Sequence, residues 1–401
     1  MSPKVLQKNI PKGWQATLFS EVAKLRKGLT YKSSDYSDKE NGMVFLTLKS
    51  ILRGGGFNYS GIKYYLGKYD TEAVLKAGDL IIANTDITRN AEVVGAPVIV
   101  PHLSDKPVLM SMDLSVIDLD EKKVSKSFFY YLLQDKRARD FMRNQASGST
   151  VLHLKTSNVP KFEFQLPPIY EQQKIAEILS SVDEEIKKVE EIISKTEKLN
   201  RGLMRNIFSF KNQKGVKHLS LRDIGRAAMC KRVFKEETSN TGDIPFYKIG
   251  TFGKEPDAFI SQELFDNYRK KFSYPKTGDV LLSASGTIGR KVKYDGKPAY
   301  FQDSNIIWLE HDESKVLNNF LYYLYDTIEW QTEGSTIKRL YNDLFLKKVI
   351  PVPSISEQKK IIEILSSLEQ KILVNKNIRS KFLLLKKGLM NDLLTGKVRT
   401  V

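Results

Sequence analysis

Residues 166–186 read LPPIYEQQKIAEILSSVDEEI, and residues 352–372 read VPSISEQKKIIEILSSLEQKI. The offset is 186 residues without a gap, and 12 of the 21 positions are identical. The match extends outward in both directions. GST at 148–150 lies over GST at 334–336, and RGLMRNIF at 201–208 lies over KGLMNDLL at 387–394. A period of this length is far beyond any solenoid repeat. It is a duplicated globular domain followed by a duplicated helix.

The helix is legible in the spacing. Apolar residues recur at Ile175, Ile178, Leu179, Val182, Ile186, Val189, Ile192 or Ile193, Leu199, Leu203 and Ile207. The second copy has Ile361, Ile364, Leu365, Leu368, Ile372, Ile378, Phe382, Leu385, Leu389 and Leu393. Steps of three and four residues make a narrow seam, as in a coiled coil. From Glu171 to Ile207 the helix would span about 55 Å at ~1.5 Å per residue, too long to pack only on its own domain. The two helices are therefore expected to pair with each other, antiparallel. Ser354 and Glu357 have the spacing of a capping box at the start of the second.

Upstream of each helix the same plan repeats. In the first unit, helices are predicted near 18–26 and 127–144, and strands at 44–48, 80–83, 98–100 and 114–117. In the second, helices are predicted near 221–228 and 318–330, and strands at 244–249, 280–284, 291–294 and 306–309. AGDLIIANT (77–85) matches TGDVLLSAS (277–285), and FFYYLL (128–133) matches FLYYLY (320–325). The offset drifts between these matches, so the loops differ in length while the framework persists. The expected fold class is α+β: two similar mixed domains at 1–165 and 213–350, and two long helices in 166–212 and 351–401.

Net charge is +17 over 401 residues, with 41% hydrophobic and 10% aromatic content. These proportions are ordinary for a folded protein, and the excess charge points to a polyanion, of which nucleic acid is the commonest, with a merely basic soluble protein as the plain alternative. The stretch 171–207 is net −1 and 357–393 is net +4, which leaves +14 elsewhere, mostly on the globular units. Cys230 is the only cysteine, which excludes a disulfide framework and a cysteine-rich zinc site. The four histidines, His102, His153, His218 and His311, lack metal-ligand spacing. There is no P-loop, and GTFG (250–253) and GTIG (286–289) fall short of a dinucleotide fingerprint. PPIY at 167–170 is a helix start: Leu166 precedes it, and the repeat has PSIS there. No metal, cofactor or catalytic residue is expected. No apolar run suggests a membrane span, and the chain is expected in the cytoplasm.

With PKGW at 11–14, GD-strand-GTIG in the second unit and the doubled GST…P-x-I-x-EQ-x-x-I helix start, the chain resembles the specificity subunit of type I restriction–modification systems. The resemblance covers nearly the whole chain. It implies a non-catalytic subunit with two target recognition domains, each reading one half of a split double-stranded DNA target. It implies that the coil fixes the half-site spacing and docks two modification subunits, which carry the S-adenosylmethionine. Through them it implies motor-nuclease restriction subunits. The first unit departs from the pattern, with DITRNAEVVG (86–95) where the second has GTIGR. Two other readings stand beside this one: a non-catalytic coiled-coil scaffold, and a methyltransferase or nuclease with unrecognised motifs.

Base reading needs Arg, Lys, Asn and Gln, and phosphate contacts need cations, hydroxyls and free N–H groups. In the second unit the candidates are Lys231, Arg232, Lys248, Ser283, Ser285, Thr287, Arg290, Gln302, Ser335, Thr336, Lys338 and Arg339. In the first they are Lys49, Asn84, Thr85, Arg89, Asn90, Ser149, Thr150 and Lys155, with Lys32 and Arg53 against phosphate. For any one exposed cation the plain alternative is a solvated surface charge. Glu171, Gln172, Glu357 and Gln358 are candidates for partner docking. The plain alternative for the two acids is the helix dipole.

Overall fold

The computed structural model describes residues 10–209, 215–334 and 338–400. The chain forms two compact units, Met1–Lys188 with Ile378–Val401, and Val189–Asn377. Each unit therefore holds a globular domain and one half of each long helix.

In the first unit, the core sheet has the strand order Ala23–Lys27, Leu114–Leu119, Leu80–Ala83, Pro97–Ile99, all antiparallel. Leu80–Ala83 is buried along its whole length, which explains its continuous apolar run. A second sheet, of five strands, carries Met43–Leu46 parallel to Val108–Met110. In the second unit the corresponding sheet runs Arg226–Ala228, Ile306–Glu310, Val280–Ser283, Lys291–Lys293. Beside it, Ile244–Tyr247 lies parallel to Tyr300–Phe301. In both units a two-stranded ribbon brings the first strand to the last one before the long helix: Gln15–Leu18 on Glu163–Leu166, and Lys217–Ser220 on Val349–Val352.

The predicted helices at 18–26 and 221–228 are corrected. Only Phe19–Val22 is helical, and Ala23–Lys27 is a strand against Leu114–Leu119. In the second unit a single 3-10 turn, Leu221–Asp223, precedes the strand Arg226–Ala228. Gly225 marks the change: a Cβ there would lie 2.3 Å from the Glu310 carbonyl oxygen of the paired strand. The helix predicted at 127–144 is two, Lys126–Gln134 and Lys136–Asn144. Asp135 between them is extended, and its carboxylate accepts the Arg137 N–H, capping the second helix. The helix predicted at 318–330 ends at Leu324 and continues as a 3-10 turn, Tyr325–Thr327.

The long helices are Ile169–Ile207 and Ile355–Leu393, each of 39 residues. In the first unit Ile175 and Leu179 pack in one core with Leu389, Met390 and Leu393. Lys386 there pairs with Asp183 at 2.7 Å. In the second unit Met204 and Ile207 pack with Ile361 and Leu365, and Lys376 pairs with Glu197 at 2.8 Å. The start of one helix thus meets the end of the other in each unit, which is antiparallel packing. The capping box forms as the sequence predicts: the Ser354 N–H and hydroxyl donate to Glu357, and the Glu357 N–H donates to the Ser354 hydroxyl.

Candidate nucleic-acid interface

In each unit the buried central strand ends in a loop that pairs with the segment following the GST sequence. In the first, Thr85–Asp86 pairs with Leu152–Leu154, and the Leu154 N–H donates to the Asn84 carbonyl at 2.7 Å. In the second, Ser285 bridges Arg339, and the Leu340 N–H donates to the Ala284 carbonyl at 2.8 Å. Two stretches of sequence chosen separately thus become one site, twice. A third segment closes each site. The Asn84 N–H donates to the Asp113 carbonyl at 2.6 Å, and the Ala284 N–H to the Asn305 carbonyl at 2.7 Å.

The second unit's site is built on a glycine loop. The buried Ser283 hydroxyl donates to the Thr287 carbonyl and accepts the Arg290 N–H at 2.9 Å, which ties the loop 283–290 shut. Gly286 and Gly289 turn it at φ of 62° and 86°. The Arg290 guanidinium donates to the Phe252 carbonyl at 3.1 Å, and the Gln302 side chain accepts the Ile249 N–H at 2.9 Å. Loops 249–253, 283–290 and 302–305 thereby converge. The Ser285 hydroxyl (2.6 Å) and an Arg339 nitrogen (2.8 Å) both donate to the Asn305 side-chain oxygen. Arg232 pairs with Asp303, Lys248 with Asp257, and the Lys231 ammonium stands 5.3 Å from the Phe272 ring centre. Thr287 and Lys338 are exposed. Ser335 and Thr336 lie outside the described residues.

The first unit's site is built on Asp86. Its buried carboxylate accepts the N–H groups of Thr88, Val93 and Val94 at 2.6, 2.5 and 2.7 Å. Burial pushes its pKa up, but these bonds together with the Thr88 hydroxyl outweigh that and hold it below the usual aspartate range. The helix Lys136–Asn144 supports the same loop: Arg139 donates to the Glu92 carbonyl and Arg143 to that of Ala91, both at 3.0 Å. Arg53 pairs with Glu92 at 3.2 Å, so the glycine loop 53–56 stands against this one. Arg89 and Asn90 are exposed at the turn of the loop, as are Lys32, Lys49, Ser149, Thr150 and Lys155 elsewhere. Asn84 and Thr85 are buried and engaged internally. Asn84 donates to the Met112 carbonyl and accepts from Ser115, and Thr85 donates to Asp113.

The helix starts are built alike around glutamine. Gln172 accepts the Ser125 N–H at 2.8 Å and donates to the carbonyls of Lys123 and Pro167. Gln358 accepts the Leu317 N–H at 2.8 Å and donates to those of Lys315 and Pro353. Both are fully buried. The glutamates differ. Glu171 is fully buried and takes hydrogen bonds from Trp14 at 2.9 Å and from two nitrogens of Arg399 at 2.7 and 2.9 Å. Glu357 is exposed. Of the four docking candidates, three have side chains enclosed within the chain.

Residues 11–197 and 213–382 match the model of the type I restriction modification DNA specificity domain. The chain belongs to this family. A putative type I restriction enzyme specificity subunit of Haemophilus influenzae is 40% identical over 256 residues, 62% of this chain and 66% of that protein. The type I restriction enzyme MjaVIII specificity subunit of Methanocaldococcus jannaschii is 26% identical over 331 residues, 74% of this chain and 76% of that one. The fold is similar to the crystal structure of the type I restriction–modification system S subunit from M. genitalium. The TM-score is 0.61 at 20% identity, over 98% of this chain and 99% of that one.

A type I specificity subunit is the member of its complex that carries DNA specificity, and it is not catalytic. Among the described residues no group of acids, histidines or cysteines could hold a metal ion, and no helix is long and apolar enough to cross a membrane. Sequence reasoning passed over Asp113 and Asn305, at the centre of the two specificity domains' sites. Their one signal was position: SMD (111–113) and DSN (303–305) each precede the late core strand. It passed over Asp86 too, whose partners are backbone groups of its own loop.

Proposed function

We propose that each unit reads one half of a bipartite double-stranded DNA target. One observation carries this: the same convergence of three distant segments, after the central strand, after the GST sequence and before the late strand, is built in both units on side chains that differ. A shared frame with divergent polar groups is what two readers of different sequences require. Lys49, Arg89, Asn90, Ser149, Thr150 and Lys155 serve the first half-site. Lys231, Arg232, Lys248, Thr287, Arg290, Lys338 and Arg339 serve the second, with Ser335 and Thr336 as further candidates. Asn84, Thr85, Ser283, Ser285 and Gln302 hold the loops in shape rather than touch bases.

The long helices act as the ruler, each about 58 Å at ~1.5 Å per residue, and dock two modification subunits. Docking falls to exposed groups: Glu357 at a helix start, and apolar side chains such as Leu373 and Leu384, 54% and 70% exposed. Glu171, Gln172 and Gln358 act through the shape of the helix starts. Motor-nuclease subunits join through the modification subunits, and the complex works in the cytoplasm.

The test is to co-express the chain with its modification subunits and map methylated adenines across a genome. Two short half-sites with a fixed gap are expected, and deleting four residues from each helix is expected to change the gap. A continuous motif would mean that one unit alone reads. DNA binding that ignores salt would favour a scaffold, because phosphate neutralisation weakens with salt.

A further inference from the structure

The two sites share three hydrogen bonds between corresponding positions, which sets the residues to be compared. Asp113 and Asn305 hold the same place, and each takes the hydroxyl of the residue after the central strand. Thr85 donates to Asp113 at 3.2 Å and Ser285 to Asn305 at 2.6 Å. Beyond that bond the chemistry reverses.

In the second site the Asn305 oxygen receives both Ser285 and Arg339, which leaves its amide N–H groups and the remaining guanidinium nitrogens as donors. In the first site the Asp113 carboxylate receives one hydroxyl on each oxygen, Thr85 on one and Ser111, at 3.2 Å, on the other. A carboxylate has lone pairs to spare after two such bonds and no hydrogen to give. Across the strand pair from Thr85 is His153, where the second site has Arg339 opposite Ser285. The flanking positions change as well. Ile87 and Met112 are 64% and 50% exposed. At the same distances along the chain from Thr85 and Asp113, the second unit has Thr287 and Ser304, both polar and exposed. Leu29 and Thr30 stand where the second site has Lys231 and Arg232, by the register of the opening strands on the late strands.

We propose that the two readers have opposite hydrogen-bonding polarity: the first selects cytosine, with thymine beside it, through Asp113, Ile87 and Met112, and the second selects guanine through Arg339 and Asn305. A carboxylate accepts from the cytosine amino group and is repelled by the guanine N7 and O6 acceptors, whereas a guanidinium does the reverse. Exposed apolar side chains beside the carboxylate suit the thymine methyl group. The inference rests on the reading of each unit as a half-site reader.

The experiment is methylation mapping of the complete complex with its modification subunits, for the wild type, for Asp113→Asn and for the surface pair Ile87→Thr with Met112→Ser. Asp113→Asn is expected to lower the preference for cytosine at one position of one half-site about tenfold or more, with the other half-site and the gap unchanged. The surface pair is expected to relax a thymine beside that position. If Asp113→Asn prevents assembly, the surface pair decides, because both residues are exposed and their replacements already occur at the equivalent sites. An unchanged motif in an assembled, methylating complex would overturn the proposal, as would relaxation of both half-sites together. A wild-type complex with no bipartite motif would overturn the half-site reading itself, and the proposal with it.

Discussion

Glu171 and Glu357 occupy one position of the repeat and live in opposite surroundings. Glu171 is enclosed, with an arginine fork on both oxygens and an indole N–H beside it. Glu357 is in solvent, where it closes a capping box with Ser354. The glutamines that follow them, Gln172 and Gln358, are by contrast interchangeable in their bonds. An identity in the repeat therefore does not establish a common role. The glutamine is kept by the shape of the helix start, which both units need. The glutamate answers to its neighbours, and those differ: in the first unit the tail after the second long helix folds back, so that Arg399 reaches both Glu171 and the Lys12 carbonyl.

The largest expected effect is Glu171→Ala. Removing the buried carboxylate leaves the Trp14 N–H without a partner and unties the part-exposed Arg399 from the helix start, so hydrogen exchange in the first unit should accelerate throughout. Glu357→Ala should leave the second unit nearly as protected as before. Equal losses at the two would break the comparison. Next are Gln172→Ala and Gln358→Ala. Each leaves a buried N–H and two carbonyls without partners, at about 3 kcal/mol, and the two losses should agree. A clear inequality, read by the same exchange measurement in each unit, would show that the glutamines too have diverged.

A smaller effect is the response to acid. Burial raises the Glu171 pKa, but the bonds from Arg399 and Trp14 outweigh it and hold the carboxyl below its ordinary 4.5. A carboxylate depressed in the folded state stabilises fully above the unfolded value and loses that stabilisation as pH falls through the folded one. Unfolding of the first unit should therefore steepen below about pH 4.5, and Glu171→Gln should remove that part of the slope. An unchanged slope would show that the Arg399 pair contributes nothing to stability. The smallest effect is at the other helix start, where Ser354→Ala removes a cap worth about 1 kcal/mol. Fraying of the first turn of that helix, seen by exchange at its N–H groups, is the expected sign.

What was legible in the sequence was local or periodic. The seam of apolar residues predicted both long helices to within two residues of their starts, because every third or fourth position carries that signal independently. The capping box was legible because its partners are three residues apart. Three of the four core strands in each unit stood out as short apolar runs between turn residues; the fourth, at the edge of each sheet, reads as helix. The segments at 18–26 and 221–228 misled for the opposite reason. They have helical composition in isolation, and become strands because Leu114–Leu119 and Ile306–Glu310 present an unpaired edge from nearly a hundred residues away.

The sequence by itself determined that this chain is a duplication, that each copy ends in a long helix, and that its charge lies mainly on the globular units. Those properties are sums or periods along the chain, so no contact is needed to read them. Only the tertiary structure decided which polar residues share a site. Asp113 and Asn305 sit at the centre of theirs because the turn before one core strand meets the loop after another. It also decided that Glu171 is buried, since its two partners lie 157 and 228 residues away. Pairings at such separations leave no spacing in the sequence. They come from sheet register and helix packing, which exist only once the chain has folded.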